Sequence, residues 1–252
     1  MRYLTAEELR GANREDAHGV LGRDDFAGKS IRDRFAIALF ERYHRERFGD
    51  HRDTHILDLG AAAGAFLSQL VEAGYENLYG TDIDEYLRPA LRVRLQDFKT
   101  VDLSWSGLPW PDGFFDVVTA WCVLPHLENP FHAVREVARV LKPGGLFIFT
   151  APYLASKPSR DYFRQHGDFK SYRTVNNHIV LFPPGVVEKT IFRYFEPVAV
   201  EYHARLWKIF RGLKGLLRKF LYRAAGLLPS GTRALEKRWA YNIVYITKKS
   251  AK

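Results

Sequence analysis

The chain has 252 residues, 46% of them apolar and 27% charged, enough to bury a sizeable core and too apolar for a disordered chain. A single cysteine, Cys122, excludes an internal disulfide framework and a cysteine-clustered zinc site, and it fits a reducing compartment. The net charge is +9, but eight of the cations lie in the acid-free stretch 202–235. The remainder is almost neutral, unlike a broadly basic nucleic-acid binder.

The start, "MRYLTAEELRGANRED", is too acidic and broken for a signal peptide. No apolar run approaches the roughly 18 residues of a membrane span, so the expectation is a cytosolic protein. The first 50 residues read as a helical part, with "SIRDRFAIALFERYHRERF" as a helix that starts at Ser30 and ends at Gly49. Five β-rich runs follow: "THILDLG", "ENLYGTD", "KTVDLS", "FFDVVTAW" and "GLFIFTAP". Helical patterns lie between them at 64–73, 84–95 and 130–141, with Asp84 as a candidate N-cap for the second. Two more strands, "EPVAVEYHA" and "AYNIVYITKK", bring the number to seven. Strands alternating with helices predict an α/β fold, a doubly wound and mostly parallel sheet, because consecutive parallel strands need crossover helices. Two interruptions read as insertions into one domain: an aromatic, lid-like stretch at 152–184 and a basic stretch at 205–238.

The informative turn is "ILDLGAAAGAF", residues 56–66, where a strand runs into a helix. Ligands of open α/β sheets bind beyond the carboxyl ends of the strands, where the backbone amides of such a turn point. No Gly-Lys-Ser/Thr follows Gly64, so this is not a phosphate-gripping loop, and the G-x-G-x-x-G spacing of a dinucleotide turn is absent. The pattern D-x-G-x-G-x-G fits through Asp58, Gly60 and Gly64, with Ala62 in place of its middle glycine. Alanine is harmless there in the α or β region and a weakness at positive φ.

On these residues the chain resembles the class I S-adenosylmethionine-dependent methyltransferases, in the group of ubiquinone-type and small-molecule enzymes. The resemblance runs from about Thr54 to Pro152 and carries the expectation of a Rossmann-like fold with S-adenosylmethionine as cofactor. It implies that Asp58, Gly60, Ala62 and Gly64 form the cofactor turn. It further implies that Asp82, in "YGTDID", grips the two ribose hydroxyls, chemistry suited to a carboxylate with several acceptor sites. Asp102, with Leu103 beside it, is implied to meet the adenine. "EVARVLKPGGLFIFTAP" matches the family's run into the fifth strand.

Methyl transfer needs a base only where the acceptor must lose a proton. His126, in "WCVLPHLENP", is the first candidate, although relatives that methylate sugar hydroxyls carry a doubled histidine whose first member corresponds to Pro125. A loop-supporting role for His126 stands beside the catalytic one. Tyr153, His166 and His178 are further candidates, and Cys122 reads as a small packing residue. No metal-ligand spacing stands out. The expected reaction is methylation of an oxygen on a small-molecule, glycan or lipid-linked acceptor. RNA methylation is the alternative, along with a non-catalytic methyltransferase-like protein that binds a membrane or partner. Nucleic acid is disfavoured because neither an Asn/Asp-Pro-Pro-aromatic motif nor a Pro-Cys nucleophile is present. From Leu206 to Leu228 the apolar residues share one helical face, and the cations, seven from Arg205 to Arg223, take the opposite side and its flanks. Two readings of that stretch stay open: packing on the protein itself, or docking on an anionic membrane surface through 205–228 with Trp207 at the interface.

Overall fold

The computed structural model describes residues 7–8, 31–173, 177–204 and 229–250. Ser30, the expected start of the first helix, and the basic stretch 205–228 lie outside them.

Helix α1 (Ile31–Phe48) buries Ala36, Leu39, Phe40 and Tyr43, a spacing that gives one apolar stripe. It ends where Gly49 takes φ 68 and donates its N–H to the Arg45 carbonyl. Strands β1 (Ile56–Leu59), β2 (Leu78–Asp82), β3 (Asp97–Thr100), β4 (Phe115–Ala120), β5 (Leu141–Pro152), β6 (Phe195–Ala204) and β7 (Ala240–Lys249) form one sheet in the order β3-β2-β1-β4-β5-β7-β6. Strands β1 to β5 pair in parallel, while β7 is antiparallel to both β5 and β6. Strand β6 therefore runs in the same direction as β1. The α/β prediction of seven mostly parallel strands stands.

The connecting helices follow from local sequence. Helix α2 (Ala65–Glu72) presents Phe66, Leu67 and Leu70 to the core. Phe66 meets Phe40 of α1 edge-on, with centroids 5.6 Å apart. Helix α4 (Pro130–Val140) starts with Asn129 accepting from the His132 N–H and Pro130 in the first turn, and buries Ala133, Val134, Val137 and Val140. Along β1 the side chains alternate between two core layers, Leu57 and Leu59 in one and Ile56 in the other.

The expected helix 84–95 is reduced to α3 (Pro89–Arg92). Pro89 disfavours the helical region for the residue before it, and Arg88 is extended at ψ 140, so no helix crosses that point. Asp84 is not its N-cap; its carboxylate instead accepts from the neighbouring Glu85 N–H. Strand β3 ends before Val101, leaving Asp102 and Leu103 in the segment that follows. The aromatic insertion holds α5 (Lys157–His166), capped by Ser156, and a short turn at Lys170–Tyr172. Helices α6 (Pro184–Thr190) and α7 (Pro229–Trp239) flank β6. Among the described residues no helix is long and apolar enough to cross a membrane.

Candidate active site

The strand order reverses at β1, which pairs with β2 on one side and β4 on the other. A crevice opens beyond such a point at the carboxyl ends of the strands. Here it is a cavity of about 200 Å³ whose walls include Asp58, Gly60, Ala62, Phe66, Trp121 and His203.

The turn is fixed by backbone contacts. Ala61 donates its N–H to the Thr81 carbonyl at 3.0 Å, tying the turn to β2, and Gly64 donates to the Ala61 carbonyl at 2.8 Å. A Cβ on Gly60 would lie 2.5 Å from a Val123 methyl, and one on Gly64 would lie 2.1 Å from a Leu91 methyl. Both glycines also have positive φ, at 63 and 78, so a side chain fails on two counts. Ala62 too is left-handed, at φ 47, the condition under which its alanine is a weakness. Its N–H donates to the Asp82 carboxylate at 2.8 Å, which holds that conformation.

Asp82 is oriented from both sides. One oxygen accepts from Ala62 and the other accepts from the Ile83 N–H at 2.7 Å. Burial pushes its pKa up and the two amide bonds oppose that shift. A carboxylate has about four acceptor sites, so each oxygen keeps capacity for a hydroxyl. Asp58 is buried and accepts from the Thr119 hydroxyl at 2.6 Å. Burial raises its pKa to about 7, the Thr119 bond opposes the rise, and the nearby Asp82 adds to it. Asp102 accepts from the Ser104 N–H at 3.0 Å, and Leu103 is buried in the core beside it.

The cofactor fits this set. The glycines leave room for close backbone approach, and the Asp82 carboxylate is aimed with spare acceptor capacity. Trp121 lines the cavity while its buried indole N–H finds no acceptor among the described residues.

The candidate bases lie elsewhere. His126, on a turn after β4, has its Nδ1 3.1 Å from the Asn177 carbonyl and its ring 4.3 Å from that of His178. His178 in turn holds the Ser171 carbonyl at 2.6 Å, and burial lowers its pKa. Neither histidine lines the cavity. Tyr153 is buried against Tyr202 with centroids 5.1 Å apart, and burial raises its pKa; it too stands outside the lining. His166 is exposed at the end of α5, beside Tyr162. Sequence reasoning missed His203 of β6 and Asn242 of β7, which do line the cavity. A histidine near the end of a β-rich run was the available signal, and only the strand order turns it into a site residue. Cys122, at φ 61, accepts from the Asn242 amide at 3.7 Å while its own N–H donates to the Thr150 hydroxyl at 2.7 Å. Among the described residues no three potential metal ligands cluster.

Residues 57–149 match the family model described as a methyltransferase domain. That stretch spans β1 to β5 with the turn and Asp82 inside it. Over those residues the chain is similar to that family, and the cofactor of class I methyltransferases is S-adenosylmethionine. The ubiquinone/menaquinone biosynthesis C-methyltransferase of Shewanella sediminis is 30% identical to this chain over 145 residues, which cover 54% of this chain and 56% of that relative. The chain thus spans little more than half the length of that relative. The fold is shared with the PH0226 protein of Pyrococcus horikoshii, at TM-score 0.58 and 18% identity over 92% of this chain and 99% of that one. It is also shared with a SAM dependent methyltransferase of Archaeoglobus fulgidus, at TM-score 0.55 and 17% identity over 86% of this chain and 94% of that one.

Proposed function

We propose that the protein transfers a methyl group from S-adenosylmethionine to an oxygen of a small-molecule, glycan or lipid-linked acceptor. The observation that carries the reading is Asp82, whose carboxylate is clamped by the Ala62 and Ile83 amides at the tip of β2, directly beside the glycine turn. Asp82 is assigned the ribose hydroxyls, the turn of Gly60 to Gly64 the methionine part, and Asp102 with Leu103 the adenine. When bound, the cofactor supplies an electrophilic methyl on a sulfonium. The protein contributes orientation and the exclusion of water, which can provide much of the rate of a displacement.

A second reading, transfer to carbon, is favoured by the name of the Shewanella sediminis relative, a C-methyltransferase. A lipid-linked acceptor is favoured by the direction of β6. Its final residues, His203 and Ala204, stand at the cavity end of the sheet, and the cationic stretch 205–228 continues from there.

Calorimetry with S-adenosylmethionine and S-adenosylhomocysteine tests the reading. Both should bind, and Asp82→Ala should weaken them roughly a hundredfold, about 3 kcal/mol for two lost hydrogen bonds to a charged acceptor. Binding untouched by Asp82→Ala would remove the ribose assignment. Absence of binding to the wild-type protein would leave the non-catalytic reading. A fourteen-dalton gain in an extracted acceptor, located by NMR, would decide between oxygen and carbon.

A further inference from the structure

The bend that follows β4 is one its own sequence does not favour. Cys122, at φ 61, shares with Ala62 the left-handed region that residues other than glycine rarely adopt. A residue stays in that region only where its surroundings hold it there. Here the holder is Thr150, on the neighbouring strand β5. Its buried hydroxyl accepts from the Cys122 N–H at 2.7 Å and donates to the Cys122 Sγ at 3.5 Å. The Asn242 amide of β7 reaches the same sulfur at 3.7 Å.

The bend takes effect one residue later. Val123 is buried, and its side chain occupies the space that a Cβ on Gly60 would need, 2.5 Å from one of its methyls. The end of β4 therefore meets the glycine turn at two points. Thr119 donates to Asp58 before the turn, and Val123 packs on Gly60 at its start, with the left-handed Cys122 between them.

We propose that Thr150 is a positioning residue for the cofactor: by holding Cys122 left-handed it keeps Val123 seated on Gly60, and so keeps the turn shaped for the amino-acid end of S-adenosylmethionine. This rests on the cofactor reading of the turn and adds to it a residue from β5. The Thr150 hydroxyl spends its hydrogen and one lone pair on Cys122, so it acts through the backbone. Without that hydroxyl the Cys122 N–H loses its acceptor and the ordinary backbone region becomes the lower state. Relaxing into that region redirects the chain that follows and lifts Val123 off Gly60. Apparent affinity then falls with the fraction of molecules that keep the competent turn.

The test is calorimetry on the full chain with two probes, S-adenosylhomocysteine and methylthioadenosine, which shares the adenosine but lacks the amino-acid end. Thr150→Val keeps the branched shape and removes the hydroxyl. It should weaken S-adenosylhomocysteine about tenfold and leave methylthioadenosine within about twofold. Thr150→Ser keeps the hydroxyl and should bind S-adenosylhomocysteine within about threefold of wild type. A packing role predicts the opposite order, because serine leaves a gap that valine fills. Valine equal to wild type, serine no better than valine, or a loss shared equally by both probes would each overturn the proposal. Asp82→Ala, by contrast, should weaken both probes, since both carry the ribose. Wild-type protein that binds neither probe would sink the cofactor reading itself, a separate and recognisable failure.

Discussion

Ala62 occupies the left-handed region that alanine tolerates poorly, at a cost of about 1 kcal/mol. Ala62→Gly relieves that strain but gives the unfolded chain more freedom, worth about 0.4–1 kcal/mol in the other direction. The expected result is stability within about 1 kcal/mol of wild type in urea unfolding. Gly64→Ala combines a φ of 78 with a Cβ 2.1 Å from Leu91, so it should lose about 2 kcal/mol or more in the same assay. Asp58 supplies a pH signature. Its folded pKa is raised from 3.8 to about 7, so the folded state keeps a proton that the unfolded chain releases. That contribution is complete below 3.8 and is lost as pH rises through about 7. Urea midpoints taken at about pH 5 and about pH 8 should fall for wild type, and Asp58→Asn should flatten the difference.

At the level of elements, the segment after β3 that carries Asp102 and Leu103 is stitched to α4 by Arg139. Its guanidinium donates to the carbonyls of Leu108 and Trp110 and to the carboxylates of Glu136 and Asp112. Glu136 in turn accepts from the Leu108 N–H, and its bond to Arg139 lowers its pKa. Arg139→Met should cost about 2 kcal/mol and speed amide exchange through residues 104–113, read by hydrogen–deuterium mass spectrometry. Lysine should not restore protection, because one ammonium cannot span two carbonyls and two carboxylates. The same scale shows what a sequence reveals. Helices α2 and α4 were legible because apolar spacing and caps agree: Gly64 and Ala73 bound α2, and Asn129 and Pro130 open α4. The 84–95 helix failed because Pro89 outweighs the apolar pattern. Strand β5 starts earlier than the apolar run suggests, since Leu141 already pairs with Phe115 before the irregular turn at Gly144 and Gly145. In the site, Asp58, Gly60, Gly64 and Asp82 were readable because they sit on two neighbouring strand ends. His203 and Asn242 were not, because only the antiparallel β7 brings them to the same cavity as Gly60.

For the whole molecule, charge location matters more than its sum. Seven cations lie between Arg205 and Arg223, directly after β6 in sequence. Vesicle flotation should recover the protein with anionic liposomes and far less with neutral ones, and raising salt from about 0.05 M to about 0.5 M should release it. Equal recovery from both kinds of vesicle would leave the stretch as a packing element. The position of β7 also has a consequence in time. It is the last of the seven strands in sequence, yet it separates β5 from β6 and hydrogen-bonds to both. During synthesis β5 and β6 emerge first and must wait with open edges for a partner still to be made. A ribosome stalled near residue 239 would therefore hold strands β1 to β5 paired, with one edge of β5 open, beside a single unpaired strand, β6, the state most in need of a chaperone.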